Sequence, residues 1–197
     1  VTLKGVKTGF AITGSYCTFD IVLKELKKIS EAGADIYPIL SFNTARTDTR
    51  FMKSADLRAV VEELAGRPAI DNIVEAEPIG PKKMLDLLIV APCTGNTLAK
   101  IASGVTDTPV TMAVKGQLRN ERPVLIAVST NDGLSANAKN LGLLLNTKNV
   151  FFVPFRQDNY TKKSNSLVAE MTGIIPAAES ALEYRQLQPV LLAGFSS

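Results

Sequence analysis

The residues that could do chemistry in this chain are hydroxyls, amides and glycines gathered in short turns behind apolar runs. Leu87-Leu88-Ile89-Val90 passes into Ala91-Pro92-Cys93-Thr94-Gly95-Asn96-Thr97, a polar turn with almost no bulk, and then into a small-residue helix pattern reaching Asp107. Gly9–Thr13 runs into Gly14-Ser15-Tyr16-Cys17, Asp35–Leu40 into Ser41-Phe42-Asn43-Thr44, and Val124–Val128 into Ser129-Thr130-Asn131-Asp132. A glycine behind a strand lets backbone approach a phosphate, and the helix start that follows favours an anion. Taken singly, each turn is equally explained by helix capping, for which Ser, Thr and Asn are preferred.

Taken together, the four turns suit a ligand with one phosphate, a polyol chain and a ring with several hydrogen-bonding edges. FMN fits that description better than ATP or NAD. No G-x-G-x-x-G follows the first strand and no G-x-x-x-x-G-K-[ST] occurs anywhere, so dinucleotide and P-loop readings are weak. The cofactor-binding candidates are therefore Gly14, Ser15, Ser41, Asn43, Thr44, Pro92, Thr94, Asn96, Thr97, Ser129, Thr130 and Asn131.

One absence narrows the reaction types. The chain has no histidine, which removes Ser-His-Asp and Cys-His nucleophiles, His-ligated metals and the usual base near neutral pH. The two cysteines, Cys17 and Cys93, lack metal-site spacing, so neither zinc nor a disulfide framework is indicated. Cys93 reads as a small apolar filler, with a redox thiol as the alternative. No catalytic residue is assigned; a reaction that needs an acid or base would have no candidate standing out beyond Asp132, Asp158 or Glu170. Arg156, Lys162 and Lys163, with Asn159, Asn165 and Ser166, form a cationic, amide-rich loop. It reads either as a solvated surface connection or as a holder of carboxylates, with Arg156, Lys162, Lys163 and Asn165 as substrate contacts and Arg46 and Arg50 as the nearest competing cations.

These residues need a frame, and the chain alternates apolar runs with helical patterns throughout. Strands are expected at Gly9–Thr13, Asp35–Leu40, Asp86–Ala91, Val124–Val128 and Val150–Pro154, with a short one at Ile73–Ala76. Helices are expected over Phe19–Ala32, Leu57–Leu64, Asn96–Ser103, Val110–Leu118, Leu134–Leu145 and Leu167–Tyr184. Pro38 places the second strand at an end or edge. Lys100 and Asp107 share a helix face only if the helix persists between them, and they read as structural or intersubunit. Doubly apolar strands alternating with helices predict an α/β fold: a single three-layer Rossmann-like or flavodoxin-like domain over residues 1–197, a central parallel sheet with helices on both faces. Ligands of such sheets bind beyond the carboxyl ends of the strands, where the winding reverses.

Composition agrees with this frame. Apolar residues make up 46% and charged residues 21%, which is globular rather than disordered. The net charge of +3 comes from scattered Lys and Arg without a basic, aromatic-laced stripe, so nothing supports a nucleic-acid partner. No apolar run approaches the roughly 20 residues needed to span a membrane, and the first residues read as a strand entry rather than a secretory signal. A cytoplasmic location is the default. The C-terminal Gln188–Ser197 stretch is apolar enough either to dock on a neighbour or to fold back on its own sheet.

The stretch from Ala91 to Asp107 resembles the P-A-S/T-A-N-T-x-A-K-x-A-x-G-x-x-D signature of the homo-oligomeric flavin-containing Cys decarboxylase (flavoprotein) family. Pro92, Thr94, Asn96, Thr97, Ala99, Lys100, Ala102, Gly104 and Asp107 match, while Cys93 and Gly95 stand where the family has alanines. Thr13-Gly14-Ser15 resembles the family's phosphate loop, and Pro123–Leu134 resembles its P-V-x-x-A-P-A-M-N-x-x-M segment, without the second proline and the methionines. The resemblance implies a Rossmann-like fold, FMN as cofactor and a homo-oligomer. The active-site histidine and the cysteine-bearing clamp of the family's peptidyl- and pantothenoyl-cysteine decarboxylases are missing. The segments Ile12–Asp20, Ser129–Asn146 and Phe152–Met171 instead are similar to a sporulation branch of the family. That likeness implies an oxidoreductase subunit in the mother-cell cytoplasm of a sporulating bacterium. It would act on a dihydropyridine dicarboxylate with a separate A subunit, through which NADP or NAD would enter. A decarboxylase or prenyltransferase-like enzyme of the same fold, and a non-catalytic scaffold subunit, are the alternatives.

Overall fold

The computed structural model describes residues 2–193. β1 (Lys7–Ile12) is buried after its first residue and continues through a 3-10 turn at Tyr16–Thr18 into α1 (Phe19–Glu31). Val22, Leu26 and Ile29 recur every three or four residues along α1 and are fully buried, so this helix lies flat on the sheet. Gly33 ends the turn behind it in the left-handed region, φ 83°, which glycine enters without a Cβ penalty. β2 (Asp35–Leu40) follows, then the short α2 (Phe42–Arg46) and α3 (Ser54–Ala65). α4 (Ile73–Ala76) leads to β3 (Leu87–Cys93), α5 (Gly95–Ala102), α6 (Pro109–Arg119) and β4 (Val124–Thr130). The chain closes with α7 (Ala138–Leu145), β5 (Val150–Phe152), β6 (Phe155–Gln157), β7 (Leu167–Ala169) and α8 (Ile174–Leu182).

The first five strands run parallel, with β1 between β2 and β3, β3 beside β4, and β5 on the first half of β4. α1, α3 and α8 pack on one face, and α4, α5, α6 and α7 on the other. This is the three-layer α/β arrangement with a central parallel sheet that the alternation predicts. Pro38 lies in the edge strand β2, where a missing N–H is least costly.

Three expectations give way to the structure. Ile73–Ala76 is a helical turn rather than a strand, because the Asn72 side chain accepts the Glu75 N–H and caps it. The helix expected from Leu134 starts only at Ala138; Asp132 to Asn137 instead form a turn in which the Asp132 carbonyl accepts the Ser135 and Asn137 N–H groups. Leu167–Ala169 is a strand, and the last helix begins at Ile174. β6 and β7 form an antiparallel hairpin, and β7 pairs with the end of β4 through Ser129↔Val168 and Thr130↔Leu167. β4 thus has two partners on one side, β5 along its start and β7 at its tip. The hairpin extends the sheet past the carboxyl ends of the parallel strands. Of the C-terminal stretch, the described part folds back on the chain's own sheet, with the Phe155 N–H on the Val190 carbonyl and the Leu192 N–H on that of Phe155; residues 194–197 lie outside the described residues.

Candidate functional site

The chain winds from β1 outward to β2 and then back across to β3, so the reversal falls between β1 and β3. Their ends are fastened together by Thr13, which is buried. Its hydroxyl donates to the Pro92 carbonyl at 2.7 Å and accepts the Thr94 N–H at 2.9 Å. Beyond this tie, the Ser15 Oγ lies 2.7 Å from the Ser129 Oγ at the end of β4. Hydroxyl contacts therefore join three strand ends. They border a cleft of about 800 Å³, within the range of small-molecule and cofactor sites.

The floor of the cleft comes from Gly14, Ser15, Tyr16 and Cys17 after β1, Thr94, Gly95 and Asn96 after β3, Ser129 and Thr130 at the end of β4, and Asn131 and Asp132 just beyond it. Thr94 caps α5 by accepting the Thr97 N–H at 3.3 Å, leaving Asn96 exposed in the first turn of the helix. The Tyr16 ring lies over Gly14, close enough that a Cβ there would stand 3.3 Å from its Cε2. Partial burial raises the Tyr16 phenol above its ordinary value.

One wall is the β6–β7 hairpin, which contributes Asp158, Lys163, Ser166, Leu167 and Val168. Asn159 shapes its turn by accepting the Thr161 hydroxyl at 2.7 Å and the Lys162 N–H at 2.9 Å. Lys163 is paired with Asp158 at 2.8 Å, and this partner holds its ammonium above the ordinary lysine value. The opposite rim is the loop between α2 and α3. There the Thr49 hydroxyl accepts the Phe51 and Met52 N–H groups at 3.2 and 3.3 Å, and presents Arg50 and the exposed Phe51. The Arg50 guanidinium stacks 4.8 Å from the centre of the Phe51 ring.

Beside the start of α5, the Asp132 carboxylate accepts the Thr130 hydroxyl on one oxygen and the buried Asn137 amide on the other, the latter at 2.8 Å. Asn140 in turn donates to the Asn137 Oδ1 at 2.9 Å. Gly95 leaves the room this network occupies: a Cβ there would fall 2.5 Å from Thr130 Oγ1 and 2.6 Å from both Asn137 Nδ2 and Asp132 Oδ1.

Of the sequence candidates, Gly14, Ser15, Thr94, Asn96, Ser129, Thr130, Asn131 and Lys163 line this one cleft. Ser41, Asn43, Thr44, Pro92 and Thr97 do not. Ser41 caps α2 through the Thr44 N–H, and the buried Thr44 hydroxyl donates to the Ile12 carbonyl at 3.1 Å. Pro92 is buried in β3, and Thr97 is buried beside Thr94. From the cationic loop, Arg156 lies outside the lining and pairs with Glu170 at 2.7 Å. Lys162 and Asn165 are exposed outside it. Glu170 is thereby removed from the cleft's acids, whereas Asp132 and Asp158 remain. Cys93 is fully buried in the middle of the sheet, where desolvation pushes its thiol far up; it is core. The helix after β3 ends at Ala102, and Lys100 reaches both Asp107 oxygens across the following turn at 2.8 Å. The pair braces that turn.

Thr18, Phe51, Leu167 and Val168 enter the lining without having been singled out, and Arg50, expected only as a competing cation, joins them with Tyr16 and Cys17 of the first turn. Arg50-Phe51 follows a short Asp48/Thr49 turn motif that could have flagged it. Nothing local marks Leu167 and Val168, which reach the cleft by pairing with β4.

Residues 1–175 match the Flavoprotein family. The chain belongs to that family. It is 46% identical over 194 residues to the dipicolinate synthase B subunit of Bacillus subtilis (strain 168), covering 98% of this chain and 97% of that protein. The crystal structure of the dipicolinate synthase B subunit from Bacillus halodurans C superposes with a TM-score of 0.90 at 42% identity, over 99% of this chain and 100% of the other. The structure of AnUbiX (PadA1) in complex with FMN and dimethylallyl pyrophosphate has a TM-score of 0.60 at 21% identity over 77% of this chain and 78% of its own, a likeness of fold alone. Among the described residues, no helix of this Flavoprotein-family chain is long and apolar enough to cross a membrane, and no group of three or more His, Cys, Asp or Glu residues could hold a metal.

Proposed function

We propose that this chain is the B subunit of a dipicolinate synthase, which oxidises dihydrodipicolinate to dipicolinate together with a pyridine-nucleotide-binding A subunit. The observation that carries the reading is the near full-length likeness to two dipicolinate synthase B subunits. In this reading the cleft at the β1–β3 reversal holds FMN and substrate.

The donor set fits FMN. Gly14 and Ser15, ahead of the 3-10 turn and α1, would face the phosphate, and the Ser15–Ser129 hydroxyl pair can open to accept a hydrogen-bonding ligand. Asn96, whose amide makes no side-chain hydrogen bond among the described residues, and Asn131 would meet polar edges. Bound flavin supplies a hydride acceptor there. The chain's own residues bind and orient the substrate. A dicarboxylate loses water on entry, which is costly unless cations replace it. Lys163 and Arg50 stand on facing walls of the cleft for that purpose, rather than Arg156 and Lys162. Aromatisation of the ring drives the reaction, so orientation of the ring against the acceptor is the main demand on the protein.

The test is purification with the A subunit and an assay for dipicolinate, beside an absorbance scan of the chain alone. Ser15→Asp places a carboxylate at the phosphate position and should abolish FMN binding in a folded protein. Lys163→Ala should lower turnover at least tenfold, with Lys162→Ala close to wild type, a tenfold loss being about 1.4 kcal/mol. No dipicolinate from the wild-type pair, or unchanged FMN affinity in Ser15→Asp, would refute the reading.

A further inference from the structure

We infer that Asp132 accepts the proton released when the substrate ring is dehydrogenated, an inference that rests on the reading of the cleft as a dihydropyridine dicarboxylate site. Taking two hydrogens from adjacent ring atoms splits them unequally. One C–H bond breaks with its electron pair passing to a hydride acceptor of the isoalloxazine or nicotinamide class. The neighbouring hydrogen leaves as a proton, and the electrons of its bond become the new ring double bond. A base must take that proton, and the chain has no histidine to do so.

The cleft offers two carboxylates, Asp132 and Asp158. Asp158 is paired with Lys163 at 2.8 Å, so taking a proton would break that pair. Asp132 has no cationic partner among the described residues. It is held by neutral donors, Thr130 and Asn137, one on each oxygen, and each oxygen keeps a lone pair beyond these bonds. The buried Asn137, itself held by Asn140, fixes the carboxylate from behind. Gly95 keeps the start of α5 close against it, so the group is held tightly in a wall of the cleft. The other titratable or charged groups bordering the cleft are Tyr16, Cys17, Arg50, Asp158 and Lys163. Of these, Tyr16 is shifted by burial toward staying neutral, and Lys163 and Asp158 pair with each other.

The experiment uses the complete two-subunit enzyme. Asp132→Asn keeps an acceptor for Asn137 and a hydrogen-bonding group for Thr130 but cannot take a proton. It should lower kcat at least 100-fold, in the range general bases contribute, and abolish the acid limb of the kcat profile. FMN affinity and thermal midpoint should stay at wild-type values. Thr130→Val removes one of the two donors to the carboxylate, so the acid limb should move from its wild-type position. This variant decides the matter if Asp132→Asn fails to fold. An Asp132→Asn enzyme with wild-type kcat and an unchanged acid limb overturns the assignment while leaving the proposed reaction standing. An unmoved limb in Thr130→Val overturns it too. Absence of turnover by the wild-type pair removes both.

Discussion

Adding one methyl group at Gly95 tests the packing on which the cleft depends. In Gly95→Ala the new Cβ would stand 2.5 Å from Thr130 Oγ1 and 2.6 Å from Asn137 Nδ2 and Asp132 Oδ1. Carbon and a polar atom meet without strain at roughly 3.3 Å or more, so three atoms must each retreat by about 0.7 Å. None is the end of a long flexible chain: Thr130 is in β4, Asn137 is buried, and Asp132 is bonded to both. Overpacking of this kind costs about 1–3 kcal/mol, and weakening one of the network's hydrogen bonds adds about 1 kcal/mol. The helix preference of alanine over glycine returns at most about 1 kcal/mol. The net expectation is a loss of about 2 kcal/mol, or a fall in Tm of about 4–8 °C for a chain of this size. Thermal and urea unfolding measure it. Gly142, on the exposed side of α7 with nothing within 4 Å of an added Cβ, is the control; Gly142→Ala should stabilise by about 0.5–1 kcal/mol. Combining Gly95→Ala with Thr130→Ala removes the nearest clash, and the pair should be non-additive by about 1 kcal/mol. A Gly95→Ala protein as stable as wild type would refute the packing argument.

Two further outcomes follow from the charged pairs. Arg156→Ala breaks the partly exposed pair with Glu170, so it should cost no more than about 1 kcal/mol of stability. It should also leave dipicolinate binding unchanged, as isothermal titration can show; a large loss of binding would return Arg156 to the site. The Lys100 ammonium holds the Asp107 carboxyl below its ordinary value. A carboxyl depressed in the folded state stabilises above its unfolded pKa, and that contribution is lost as pH falls through the folded one. Asp107→Asn should therefore be less stable than wild type at neutral pH, with the gap closing in acid. Denaturant midpoints across that range check the sign, and a gap that persists or widens in acid would contradict it.

Local sequence determined most of the frame. The spacing of Val22, Leu26 and Ile29, ended by Gly33, fixes α1. Strands apolar on both faces can only be buried between helices, and that alone implies the parallel sheet and the edge at which ligands bind. Turn chemistry likewise brings Gly14, Ser15, Thr94, Asn96 and Ser129 to one place, because their strands are neighbours. Ile73–Ala76 shows the limit of such reading: four residues carry no resolvable period, and the cap at Asn72 was the better guide. Ser41 and Thr44 show another, since a cap and a ligand contact need the same residue types; the tertiary structure gives their side chains to α2 and to the Ile12 carbonyl.

Other features depend on contacts between distant parts of the chain. Leu167–Ala169 becomes a strand because the tip of β4 has unpaired backbone groups to offer, and nothing within the segment reveals it. That pairing carries Lys163 to the cleft, while Arg156 is paired with Glu170 outside it. Arg50 and Phe51 arrive from a loop joined to an edge strand. The network at Asp132 exists only because Gly95, 37 residues earlier, lacks a side chain. Periodicity and capping are properties of consecutive residues, and the sequence displays them directly. Which charge meets which charge, and which carboxylate is left without a cation, depends on distances that only the folded chain defines.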